Sequence, residues 1–131
     1  MINKMHIKIK KSNSTLEEVL KFVKQEDILW WSILWIKGIG HFKDHSMLEL
    51  EEKINKSILP LQFNLKEIKE ILTNMDDIYE ITIIGDCNKD NLKKYDNDEN
   101  MISSCNVVIE KIDSSFWELH VDESFVNNYI Y

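Results

Sequence analysis

Two runs near the C-terminus alternate apolar and polar residues with a period of two. Residues 106–112 (Asn-Val-Val-Ile-Glu-Lys-Ile) and 116–121 (Phe-Trp-Glu-Leu-His-Val) are separated only by Asp113, Ser114 and Ser115. Alternation marks a strand with one face buried, and a short polar connection is of hairpin length. A C-terminal β-hairpin is expected, with Trp117, Leu119 and Val121 towards the core and Phe116, Glu118 and His120 on the other face. Glu110 shares that outer face if residues 112 and 116 pair.

Earlier in the chain, Met5, Ile7 and Ile9 alternate with His6, Lys8 and Lys10. This predicts a strand whose lysine-bearing side suits a sheet edge. Ser14 with Glu17 has the form of a capping box, and Leu16, Val19, Leu20 and Val23 follow at helical spacing, so a helix is expected over 15–25. Residues 28–36 form the longest apolar run, nine residues broken by Ser32. Its aromatic and β-branched residues, followed by Gly38 and Gly40, favour a central strand. A buried helix stays open there, because periodicity does not separate the two in so short a run.

Ser46 with Glu49, then Met47, Leu50, Ile54 and Ile58 on one stripe, predict a second helix ended by Pro60. Asn64 with Glu67 opens a third, carrying Leu65, Ile68, Ile71, Leu72 and Met75. Residues 78–84 predict a strand with Tyr79, Ile81 and Ile83 on one face and Glu80, Thr82 and Ile84 on the other. Residues 86–103 read as a long polar connection anchored by Leu92, Tyr95, Met101 and Ile102. Phe125, Val126, Tyr129 and Ile130 predict a short terminal helix.

Strands and helices do not alternate regularly, so the expected class is α+β. It is a single domain over 1–131, with about five mostly antiparallel strands in one sheet and three to four helices packed against it. At 131 residues and 44% hydrophobic content the chain can bury a real core without a metal or disulfide.

Charge narrows the partners. Net charge is −7, and it is unevenly spread: residues 1–60 carry ten lysines against eight acids, residues 61–131 six against 15. Such a field repels nucleic acid and anionic membrane and attracts a basic protein. The chain has no arginine, and lysine does not reproduce the bidentate fork used on phosphate and guanine. No apolar run reaches the about 20 residues of a membrane span, and the N-terminal residues alternate like a strand rather than forming a leader, so a cytoplasmic location is expected.

Catalytic signatures are weak. His41 and His45, with Asp44 between them, have the spacing of two imidazoles on one helical face. No glutamate follows the first and no third ligand is evident, so a surface loop is expected and no metal or other cofactor. Gly38-Ile-Gly40 lacks the third glycine of a dinucleotide motif and is read as letting a strand turn or lie close to its neighbour. Cys87 and Cys105 sit in no thiolate-lowering context. Adjacent strand residues point to opposite faces, so at most two of Trp30, Trp31 and Trp35 can share a pocket, and core packing is expected. The acid clusters Asp76-Asp77 with Glu80, Asp86 with Asp90, and Asp96-Asp98-Glu99 lack calcium-loop spacing. They read either as an ordinary solvated surface or as a landing surface for a cationic protein, extended by Glu110 and Glu118 and anchored by Tyr79, Tyr95 and Trp117.

A small acidic α+β chain without a catalytic signature, ending in the 106–112 run, Asp113-Ser-Ser and Phe116-Trp117-Glu118, resembles the immunity proteins that neutralise bacterial polymorphic or contact-dependent inhibition toxins. The resemblance implies a non-enzymatic inhibitor that occludes the active site of a basic toxin, often a nuclease. The rival expectation is a small enzyme or ligand-binding domain using His41, His45 or His120 near Cys105 and a tryptophan-lined pocket.

Overall fold

A computed structural model describes residues 4–9, 15–42, 45–113 and 116–127. It is an α+β fold built on one mostly antiparallel sheet. The strands are β1 (Lys4–Ile9), β2 (Trp30–Phe42), β3 (His45–Ser46), β4 (Leu61–Phe63), β5 (Met75–Asp86), β6 (Val107–Ile112) and β7 (Phe116–Asp122). The helices are α1 (Leu16–Leu20), α2 (Met47–Lys56), α3 (Leu65–Thr73) and α4 (Asp98–Ser104). Strand order is β1-β7-β6-β5-β2-β3, with β4 also paired to β2, so seven segments fill six places where about five strands were expected. β1 lies at the edge, as its lysines suggested. No helix among the described residues is long and apolar enough to cross a membrane.

One face of the sheet carries the main core. Ile33 and Ile36 of β2, Ile81 and Ile83 of β5, Val107 and Ile109 of β6, and Trp117, Leu119 and Val121 of β7 pack there with Leu16, Val19, Leu20, Ile54, Ile68 and Ile71 of the helices. Each fully buried isoleucine or leucine contributes about 2 kcal/mol of apolar burial. α3 starts as its sequence requires: Asn64 accepts from the Glu67 backbone N–H at 2.8 Å, and Glu67 accepts from the Asn64 N–H at 2.9 Å.

The opposite face holds a smaller core of Leu34, Ile84, Met101, Cys105 and Val108, with Leu92, Tyr95 and Ile102 against it. The stretch expected to be an 86–103 connection is therefore ordered. Asn97 caps α4, accepting from the Asn100 N–H at 2.8 Å, and the four apolar anchors seat the segment on the sheet.

Several expectations are corrected. The first helix stops at Leu20 rather than 25, because Val23 leaves it to bridge Val126, with Lys24 N–H donating to Phe125 O at 2.7 Å and Asn127 N–H to Phe22 O at 2.9 Å. That bridge also replaces the described part of the terminal helix with a 3-10 turn at Glu123–Phe125; Tyr129 and Ile130 lie outside the described residues. Ser14 lies outside them too, and Thr15 caps α1 instead. Ile58 falls past the end of α2 and is 90% exposed, not part of its buried stripe. The surface loop expected at His41 and His45 is instead the two arms of the β2–β3 hairpin.

Two irregularities re-aim side chains. Ile33 pairs with Ile83 but Trp35 with Thr82, so Leu34 is an inserted residue, a β-bulge. Strict alternation would put Trp35 on the core face with Trp31 and Ile33. The bulge instead turns Leu34 and Trp35 to the second face and brings Ile36 into the main core, where it is fully buried. Tyr79 is skipped in the same way between Glu80 and Ile78, so Ile78 rather than Tyr79 packs against that core. Gly38 permits close strand packing there: a Cβ on it would stand 2.3 Å from Asp77 O.

The bulge is pinned from two sides. Lys94 Nζ donates to Leu34 O and to Ile54 O, each at 2.7 Å, and burial lowers its pKa from the ordinary lysine value. Asn55 of α2 accepts from Ile36 N–H at 2.9 Å and donates to Ile36 O at 2.8 Å, and Glu51 accepts from Gly38 N–H at 2.6 Å. α2 thus satisfies the β2 edge between β4 and β3 with side chains, which covers a strand edge that would otherwise be sticky.

Candidate functional site: an acidic face around Trp35

The second face of the sheet gathers polar and aromatic residues from non-adjacent parts of the chain. Glu118 pairs with Glu110, Glu110 with Thr82, and Thr82 with Trp35, one row across β7, β6, β5 and β2. Three strand spacings place Trp35 about 14 Å from Glu118. Trp35 is 44% exposed, and its indole Nε1–H donates to Glu80 Oε1 at 3.2 Å. Beside it opens a cleft of about 260 Å³ lined by Leu34, Trp35, Asn55, Thr82, Lys94, Tyr95, Asn97, Asp98 and Met101. An indole held by a carboxylate beside a second carboxylate, Asp98, is suited to a lysine or arginine side chain, through cation–π contact and charge.

The hairpin register is the one in which Ile112 pairs with Phe116, so Glu110 and Glu118 stand directly opposite each other, both half-buried. Burial, with added repulsion from Asp98 and Glu118, pushes the Glu110 carboxyl up to about 7. The native state therefore holds this proton through a pH range where the unfolded chain has released it. The resulting stability is full below about pH 4.3 and is lost as pH rises through about 7. After solvent screening at this half-open position, raising pH from about 5 to about 8.5 should cost the protein about 1 kcal/mol through this group. Glu110→Gln should flatten that slope in urea titrations with EDTA present. An unchanged slope would contradict the assignment.

Next along the face, His6 of β1 pairs in register with His120 of β7, their ring centroids 4.3 Å apart and nearly perpendicular. His120 Nε2 lies 3.9 Å from Glu118 Oε2, and burial, helped by His6, lowers the His120 pKa. At the end of this face Lys4 Nζ pairs with Asp122 Oδ1 at 2.5 Å and donates to Cys105 O, while Asn106 Nδ2 donates to Asp122 Oδ2 at 2.7 Å.

The structure brings together some candidate binding residues and separates others. Glu80, Tyr95, Asp98, Glu110 and Glu118 share the second face, with exposed Asp96 and Glu99 at the start of α4 beside them. Asp98 and Glu99 also occupy the first turn of α4, where their charge favours the helix. Asp76 and Asp77 are exposed at the opposite end of β5 from exposed Asp90; nine residues of strand from Asp77 to Asp86 put about 30 Å between those ends.

Asp86 is a correction. It is 2% exposed, its Oδ1 accepting from Asn88 N–H at 2.7 Å and Asn91 Nδ2 at 3.1 Å and its Oδ2 from Asn106 N–H at 2.7 Å. It ties β5 to the start of β6 and does not face a partner. Trp117, offered as an aromatic anchor, is 1% exposed in the main core. Of the three N-terminal tryptophans only Trp31 is core; Trp30 is half-exposed under the Lys89 ammonium, 5.3 Å from its ring centroid.

Among the described residues, the polar contacts of the two cysteine thiols do not include a histidine. Cys105 is buried, its Sγ 3.6 Å from Tyr95 Oη and 3.8 Å from Asn91 O, and burial pushes its thiol up to about 11. Cys87 Sγ donates to Asp27 O at 3.1 Å. Sequence reasoning missed Trp35 and the His6–His120 pair as site residues. Alternation marks His6 and His120 as outward-facing, but nothing in the sequence sets β1 against β7. The chain matches no family model, no curated protein and no solved structure at significance.

Proposed function

We propose that this chain is a cytoplasmic binding protein of the immunity type, which neutralises a basic toxin by laying its acidic second face over the toxin's active site. The observation that carries the reading is the outward Trp35 indole, hydrogen-bonded to Glu80 and bordered by the Asp98 cleft. An exposed aromatic flanked by two carboxylates combines the two features that protein hot spots and electrostatic steering require. Charge draws the cationic partner in, the indole and cleft receive one of its basic side chains, and the carboxylates stand where the phosphates of a nucleic-acid substrate would go. Asp96, Glu99, Glu110 and Glu118 extend the field around this centre.

Expression of the adjoining reading frame alone is expected to arrest bacterial growth, and co-expression of this chain to restore it. Growth arrest that co-expression leaves unchanged, or an adjoining product without toxicity, overturns the reading.

A further inference from the structure

His6, Glu118 and His120 each bring one ligand atom to within 4.8 Å of the others. The arrangement follows from the register. His6 and His120 are directly paired across β1 and β7, and Glu118 lies two residues along the same strand on the same face. On the opposite face of β7, Trp117, Leu119 and Val121 are buried in the main core, so the strand that carries Glu118 and His120 is packed from beneath.

We propose that these three side chains form a binding site for a divalent transition-metal ion of the zinc or cobalt type. Two imidazoles and one carboxylate are the donor set such borderline ions take, whereas calcium and magnesium require oxygen ligands. A tetrahedral ion with bonds of about 2.1 Å needs its donors about 3.4 Å apart, so the triangle must close by about 1 Å. His6 is exposed, Glu118 half-buried and His120 buried, so the cluster is anchored on its inner side and free to adjust on its outer one. That asymmetry leaves a fourth coordination position facing outward, for water or for a ligand atom from a bound molecule. Asp98 on the same face adds negative charge that favours a dication, as does Glu110 opposite Glu118 once pH rises past about 7; Lys4, near His120, opposes it.

His41 and His45 are the other histidines of the chain and lie on the β2–β3 hairpin, across the sheet from β1. Tag-free protein stripped with a chelator is to be titrated with cobalt(II) chloride, followed by visible absorption and calorimetry, with zinc chloride as competitor. The expected result is one cobalt ion per chain, displaced by zinc. His6→Ala, at an exposed position with little structural cost, should weaken binding on the order of 100-fold, and Glu118→Gln should weaken it as well. The paired substitution His41→Gln with His45→Gln should leave binding intact. Far-UV circular dichroism of each variant confirms its fold. Wild-type protein that binds no cobalt tighter than about 100 μM, a folded His6→Ala variant that binds as wild type does, or loss of binding in the His41/His45 variant, each overturns the site. Binding of metal is measured without a partner protein, so its outcome stands apart from that of the immunity reading.

Discussion

Asp86→Ala is expected to lower the free energy of unfolding by about 4 kcal/mol, read as the midpoint and slope of a urea transition. The carboxylate is buried and accepts from two backbone N–H groups and one side-chain amide. A hydrogen bond to a charged group is worth about 1.5–3 kcal/mol, and alanine would take the acceptor from two backbone N–H groups, those of half-buried Asn106 and exposed Asn88. Asp86→Asn keeps the shape and one acceptor oxygen and should lose about half as much. A loss under about 1 kcal/mol for alanine would show that these hydrogen bonds do not form in solution. By contrast Asp98, exposed at the first turn of α4, should tolerate substitution within about 1 kcal/mol. The two acids look alike in the sequence and differ in what surrounds them.

Trp35→Ala is expected to weaken binding of the proposed basic partner by about 3 kcal/mol, on the order of 100-fold in Kd by isothermal titration calorimetry. Its effect on stability should stay within about 1 kcal/mol, since the indole already meets solvent and its one hydrogen bond is to an outward Glu80. Trp31→Ala gives the opposite pattern. That side chain is 3% exposed in the main core, and its loss should cost about 4 kcal/mol of stability. Unaltered affinity in a folded Trp35→Ala variant would remove the indole from the interface.

Much of the architecture is legible in the chain because it rests on local patterns. The hairpin is one example: its alternation and short polar turn specify both strands, while the pairing of Ile112 with Phe116, on which a shared side for Glu110 and Glu118 depends, comes from the register. Asn64 and Glu67 are another, a capping box read from spacing and present as two hydrogen bonds. What failed depended on contacts between distant residues. The first helix ends early because Val23 finds Val126, over a hundred residues away. The 86–103 stretch holds a helix because Leu92, Tyr95, Met101 and Ile102 have a second sheet face to cover, which a one-sided sheet would not offer.

The candidate site was harder to read for the same reason. Counting by twos along β2 sends Trp35 inward, and only the bulge at Leu34, held by Lys94 from sixty residues further on, sends it out. The acids were visible as clusters, but sequence clusters are not spatial ones. Asp76-Asp77 lie at the start of β5 and Asp90 in the turn beyond its far end, while Glu80, Asp98, Glu110 and Glu118 converge from four elements. His6 meets His120 because the first strand pairs with the last, a choice of neighbour that no local pattern encodes.

Affinity for the proposed basic toxin as a function of salt tests the central claim most directly. Kd measured at about 50 mM and about 500 mM NaCl should rise at least about tenfold, mostly through slower association, and Glu80→Lys or Asp98→Lys should both weaken binding and flatten the salt slope. A Kd that is independent of salt, or indifferent to charge reversal at Glu80 and Asp98, would contradict an acidic face around Trp35 as the binding surface.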